Sequence, residues 1–248
     1  MKTPSAAVNT IIKRELASYF TSPVAYVFLV MFLVLLGFFT FMIGSFFEIG
    51  QATLAPFFQW HPWLYLVLVP AVGMGLWAEE RRSGSMELLL TLPVNPWQAI
   101  VGKFAAAWLF LALALALTFP MVCTVYYLGA PDGGVIATGY FGSFLLGGTY
   151  LAISSMTSAM TRNQVVSFIT SVVICLFLVL AGYPPVTDML VQWAPTWFVD
   201  AVASFSVMTH YDALQRGVLS TRDLVYFLSI ISFALFLTSV IIRNRRSA

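Results

Sequence analysis

The chain has 248 residues, of which 60% are hydrophobic and only 9% charged, and its mean hydropathy is +0.90. An ordinary soluble domain carries about 25% charged residues, so a water-soluble surface cannot be built from this composition. The formal net charge of +2 is too small to point to nucleic acid, and where the charges sit matters more than their sum.

Residues 9–22 open the chain with Ile12, Leu16, Tyr19 and Phe20 at i, i+4, i+7 and i+8, while Lys13, Arg14 and Glu15 face elsewhere. That spacing predicts an amphipathic helix lying in the headgroup layer, ended by Pro23. The apolar stretch that follows is too long for a signal peptide and lacks a small-x-small exit site, so a retained N-terminus is expected. Helix-length windows then give six spans, at 24–47, 60–78, 104–128, 140–160, 165–183 and 224–242, each to within a few residues. Backbone amides find no water in hydrocarbon and the runs lack barrel-type alternation, so the expected fold is all-α and polytopic. A single transmembrane domain occupies 1–248 in this reading.

Within the spans, Pro70 and Pro120 should bend the second and third. Gly139, Ser143 and Gly147 repeat at intervals of four, the small-residue stripe that lets helices approach closely, within one subunit or at a dimer contact. Cys123 and Cys175 lie in apolar runs far apart and are expected to act as small hydrophobes with no disulfide. The segment 184–223 carries Pro184, Pro185 and Pro195 with Trp193, Trp197, Phe198, Phe205 and Tyr211. It reads as short amphipathic or re-entrant helices, capping a pathway or forming a packed lid.

Orientation follows from basic residues. Lys2, Lys13, Arg14, Arg81, Arg82, Lys103, Arg162, Arg243, Arg245 and Arg246 fall on one side of the six-span topology, and only Arg216 and Arg222 on the other. The positive-inside rule puts both termini in the cytoplasm, as an even number of spans requires. Trp60, Trp63, Tyr126, Tyr127, Trp193 and Trp197 are placed as outer anchors, and Tyr19, Tyr26, Trp77 and Trp97 as inner ones.

The cytoplasmic connection 79–103 begins Glu79-Glu80-Arg81-Arg82-Ser83-Gly84-Ser85-Met86-Glu87-Leu88-Leu89-Leu90-Thr91-Leu92-Pro93. Ser85 can cap a short helix whose Met86, Leu89 and Leu90 share one face, and Pro93 should stop it. Such a knob meets lipid or a partner, or folds against the span ends; charges on both flanks favour a partner.

The span cores hold no Asp, Glu, Lys or Arg, with Lys103 placed at an edge and His61 and His210 at the outer surface. Ion-driven carriers place ionisable groups inside the membrane, so that class is disfavoured. An ATPase site is absent as well: the only Gly-Lys pair, Gly102-Lys103, is followed by Phe104 where a phosphate-binding loop needs Ser or Thr, and Trp97 stands at its first glycine. Energy for uphill movement must therefore arrive from another subunit.

These residues resemble a known family. Glu79 to Pro93 is similar to the acidic-basic, Gly-Ser, Glu-Leu-Leu, Leu-Pro signature that follows the second span in ABC-2 type (type-2 ABC exporter) permeases, and most closely resembles their gliding-motility-associated branch. Lys13-Arg14-Glu15-Leu16 through Tyr19-Phe20 resembles the family's interfacial helix. His210-Tyr211 with Arg216-Gly217 resembles its outer motif. The resemblance implies an inner-membrane exporter subunit with no cofactor of its own. Two permease copies, identical or related, would sit on a cytoplasmic ATPase dimer that uses ATP and Mg. The ATPases would push on a coupling helix formed by Glu79, Glu80, Arg81, Arg82, Gly84, Ser85, Met86, Glu87, Leu88, Leu90 and Pro93. It also implies, in the gliding-motility branch, a larger membrane subunit with an extracytoplasmic domain. A related branch serves copper-site assembly in nitrous oxide reductase, and a scaffold that transmits force without transport would use the same knob.

Overall fold

A computed structural model describes the backbone of residues 4–84 and 95–244, with side chains from residue 8 onward. Among the described residues every regular element is helical. Helix α1 spans Pro4–Thr21. Helix α2 (Pro23–Phe38) starts at Ser22, whose hydroxyl accepts from the Val24 amide, with proline at the first turn where its missing N–H is not needed. It passes into one π-helical turn, Phe39–Ile43. A short α3 (Ala55–Gln59) leads to α4 (His61–Gly73), and α5 (Gly75–Ser83) continues α4 after a break at Met74.

Helix α6 (Pro96–Ala116) is opened by a capping box in which Asn95 and Gln98 satisfy each other's end amides. Helix α7 (Phe119–Leu128) follows a break at Leu117–Thr118, just ahead of Pro120. The carboxylate of Asp132 caps α8 (Gly133–Met160), and Asn163 caps α9 (Gln164–Leu180). Three short helices come next, α10 (Pro184–Val191), α11 (Thr196–Ser204) and α12 (Val207–Gln215), before α13 (Thr221–Asn244). They occupy the segment where the prolines predicted interrupted helices.

Among the described residues, five stretches are long and apolar enough to cross a membrane: Pro23–Ile43, His61–Ser83, Pro96–Leu128, Gly133–Met160 and Thr221–Asn244. The remaining predicted span, 165–183, differs. Helix α9 has 17 residues, a length of about 25 Å against a hydrocarbon core of about 30 Å. It qualifies only together with α10, from which it is bent by 66°. Ala181 and Gly182 close its last turn and Pro184 opens α10, so the helix stops within a few residues of the predicted end at 183 and the chain turns there. Val24, Val27 and Val34 on α2, Phe177 on α9 and Phe233 on α13 are among the side chains left facing outward. That apolar belt needs a hydrocarbon surround, and the protein is a multi-pass membrane protein.

Helix α8 lies at the centre, packed by α4, α5, α6, α9, α12 and α13. Its small residues permit this. A Cβ on Gly139 would come within 2.4–2.7 Å of the Phe58 ring, one on Gly142 within 2.9 Å of Leu214, and one on Gly148 within 2.6 Å of Trp108. The Gly139, Ser143 and Gly147 stripe thus serves packing within the chain: Ser143 meets the Tyr211 hydroxyl at 3.0 Å and Gly147 faces Tyr65.

Candidate functional site

The foot of α5 is fastened to α8 by side chains rather than by backbone. Ser158 on α8 accepts from the Trp77 and Ala78 amides, both at 3.0 Å, and donates to the Met74 carbonyl at 2.8 Å. The Trp77 indole donates to Ser155 at 3.0 Å and is buried. Sequence placed Trp77 as an anchor at the inner membrane interface, but Ser155 gives its N–H a protein partner and the ring is buried. One turn on, Arg81 donates to the Ala159 carbonyl at 2.6 Å near the C-terminal end of α8, where a cation complements the helix dipole. Glu79 accepts from Gln164 at the start of α9 and from Arg82 at 3.0 Å.

Lys103 forms the second half of the site. It lies well inside α6, which begins at Pro96 rather than near residue 104, and it is 5% exposed. Its Nζ is 2.8 Å from Glu80 on α5 and 3.5 Å from Glu15 on α1; it donates to the Leu76 carbonyl at 3.3 Å and lies over the Trp77 ring. One buried cation therefore ties together α1, α5 and α6. Sequence put Lys103 at a span edge and Glu15 on the face turned away from the core. The structure corrects both, because the lysine's long stem carries its charge to two carboxylates that would otherwise approach each other unneutralised.

Helix α1 is held close beside this node. A Cβ on Gly102 would sit 2.7 Å from Ile11, so glycine there lets the helices touch. Tyr19 stacks on Phe110 with centroids 5.0 Å apart, and Phe20 meets the same ring edge-on. Burial, with Glu15 adding to it, pushes the Tyr19 hydroxyl well above the usual tyrosine range. Leu16 packs on the core, whereas Lys13 and Arg14 stay exposed, Arg14 pairing with Glu15 at 3.0 Å. Gly84 ends α5 at φ +73°, a conformation glycine adopts without strain. Ser85, Met86, Glu87, Leu88, Leu90 and Pro93 of the predicted knob lie outside the described residues.

At the opposite end of the bundle, Tyr211 donates to the Phe58 carbonyl at 3.0 Å, joining α12 to α3, while Ser143 joins it to α8. Burial pushes its hydroxyl upward. His210 pairs through Nδ1 with Asp223 at 2.6 Å, reaches the Ser204 carbonyl through Nε2 at 3.2 Å and stacks on Tyr226. Burial raises the Asp212 carboxyl, with the Arg216 charge opposing. Gly217 turns the chain at φ +87°, with Val135 2.9 Å from where a Cβ would stand. The outer motif is a brace around α12. Sequence placed His61 and His210 at the outer surface; both are buried, His61 among the rings of Phe57, Phe58 and Tyr65.

Lys103 and Trp77 escaped sequence reading as site residues. The available signal was a single cation within an apolar helix, on the same side of the topology as Glu15 and Glu80.

Residues 9–244, from α1 through the end of α13, match the family described as ABC-2 family transporter protein. The chain belongs to the ABC-2 family. A search of curated proteins gave no match. The protein is accordingly a permease component of an ABC transporter, and ABC-2 permeases work with an ABC ATPase. Both the Lys103 node and the brace around Tyr211 fall within the matched ABC-2 region.

Proposed function

We infer that this permease is the membrane subunit of an exporter in the inner membrane, driven by a separate cytoplasmic ATPase dimer, and that the Lys103 node receives the stroke. The observation carrying this reading is that one buried cation joins Glu15 of α1 to Glu80 of α5, at the end from which residues 85–94 depart. A push on the 85–94 segment would act on α5, and a push on α1 would act on the same lysine, so both inputs converge before reaching α6 and α8. The excess of Lys and Arg on this side supports a cytoplasmic location for it and for both termini. A second permease copy completes the pathway, and the outward apolar faces leave room for that partner or for lipid.

The test joins co-purification to flux. With Ser83 to Pro93 scrambled, the ATPase should be lost from the purified complex, and proteoliposomes carrying the unaltered complex should move solute only with ATP. Undiminished co-purification of the scrambled chain would overturn the docking assignment. Hydrolysis that rearranges an outer subunit while no solute moves would replace export by force transmission.

A further inference from the structure

The cavity at the end of the bundle away from α1 has a chemistry that helix packing does not require. It measures about 340 Å³ and is lined by, among others, Trp60, Trp63, Tyr183, Met208, Asp212 and Gln215, near the lower end of the roughly 300–1,000 Å³ range of ligand sites. Trp63 and Tyr183 stand at 84° with centroids 5.6 Å apart, forming two walls of an aromatic corner. Asp212 adds a carboxylate whose Oδ1 accepts from Gln215 Nε2 at 2.9 Å.

Taken together, these groups define a ligand. Aromatic faces and a carboxylate attract a cation. Among the described residues, no Lys or Arg lines the cavity; Arg216, whose charge acts on Asp212, is exposed and outside the lining. The depth is that of a headgroup layer, since the neighbouring α10 to α11 region exposes Trp193 and Trp197, 88% and 70% accessible, as interfacial residues do.

We propose that this cavity binds the primary ammonium group of an ethanolamine phospholipid headgroup. The ammonium sits in the Trp63–Tyr183 corner against Asp212, and the phosphate stays at the open, headgroup-facing mouth. A phosphatidylglycerol headgroup brings hydroxyls and a net negative charge to the same carboxylate and is disfavoured. The assignment does not depend on which subunit supplies energy or on the direction of transport.

Native mass spectrometry of the full chain, released from nanodiscs of equal phosphatidylethanolamine and phosphatidylglycerol with identical acyl chains, tests this. The expected result is retention of phosphatidylethanolamine over phosphatidylglycerol by roughly tenfold, and loss of most of that preference in Asp212→Asn and in Trp63→Leu. Trp197→Leu, outside the cavity, keeps it. Glycerophosphoethanolamine added in solution separates two sources of the same chemistry: displacement of the lipid shows that the headgroup alone suffices, and retention shows that the acyl chains contribute. Should Asp212→Asn not fold, judged by monodispersity and far-ultraviolet dichroism, Trp63→Leu decides. Equal retention of the two lipids, or an unchanged preference in the folded variants, overturns the proposal.

Discussion

Replacing Lys103 with methionine removes a charge but keeps most of the stem's volume, and it separates the ionic node from the packing around it. The lysine side chain is 6% exposed, and those of Glu80 and Glu15 are 19% and 18% exposed. At an effective dielectric near 20, contacts of this length represent about 5–6 kcal/mol of gross attraction each, most of which the desolvation of three charges offsets. Removing one member of a fully buried pair costs about 3–5 kcal/mol. Both carboxylates here retain some water contact, so the expected loss lies lower, about 2–3 kcal/mol. For a chain of this length each kcal/mol moves Tm by about 2–4 °C, which gives a decrease of roughly 4–12 °C in a thermal unfolding assay in nanodiscs. Adding Glu80→Gln to Lys103→Met should restore part of the loss, because the stranded carboxylate is then gone. In the assembled transporter the single variant should hydrolyse ATP with less flux per turnover. A Tm within about 1 °C of the parent, or strict additivity of the two substitutions, would refute the ionic link between α1 and α5.

Two further substitutions probe the packing of α8. Gly139→Ala drives a methyl to within 2.4–2.7 Å of the buried Phe58 ring, and overpacking of this kind costs about 1–3 kcal/mol. Gly37→Ala on α2 meets nothing within 4 Å and should be neutral or slightly stabilising, by about 0.5–1 kcal/mol; thermal unfolding of the pair tells steric crowding from a general intolerance of helix substitution. Tyr211→Phe keeps the ring and removes the hydroxyl that serves Phe58 and Ser143, leaving a buried carbonyl short of a donor at a cost of about 1–3 kcal/mol. Hydrogen exchange should then quicken in α12 before it does in α6.

The hydrophobic windows located most of the spans because crossing a bilayer leaves a chain few choices, and the small-residue stripe on α8 was readable for the same reason. Caps such as Asn95 with Gln98 and Asp132 sit at the helix starts where their side chains can serve the end amides. Periodicity also found the buried face of α1 through Leu16, Tyr19 and Phe20. What it missed turns on the reach and direction of single side chains. A window average registers Lys103 as one unfavourable residue and says nothing of its stem, which ends at Glu80. Trp77 near a span end has the composition of an interfacial anchor, and only the position of Ser155 on a helix some 78 residues away shows that it faces inward. The bend between α9 and α10 falls where Pro184 and Pro185 announced an interruption, and only the shortness of α9 was hidden, because Ala181 and Gly182 are as apolar as the span before them.

The broken second span bears most directly on how a stroke could travel. Pro70 lacks an amide, and the helix is interrupted at Met74, so the first turn of α5 opens at a break in the backbone ladder. Helix α8 supplies the remedy from outside. Ser158 accepts from Trp77 and Ala78 and serves the Met74 carbonyl, and Ser154 reaches the Pro70 carbonyl at 3.4 Å. Gly73 allows the approach, since a Cβ there would fall 2.4 Å from Ser154 Oγ. The joint is thus held by side-chain hydrogen bonds, each worth about 1 kcal/mol net, and the foot bearing Glu79 to Arg82 can shift relative to α4 by exchanging them, without unwinding a continuous helix. Ser158→Ala should remove the hydroxyl that serves two amides and a carbonyl at a cost of about 1–3 kcal/mol and loosen α5 selectively, seen as faster exchange at Trp77 and Ala78 with α4 above the break unchanged. Equal acceleration on both sides of Met74 would mean that the second span behaves as one rigid rod, and the route from the Lys103 node into the bundle would then have to run through α6 alone.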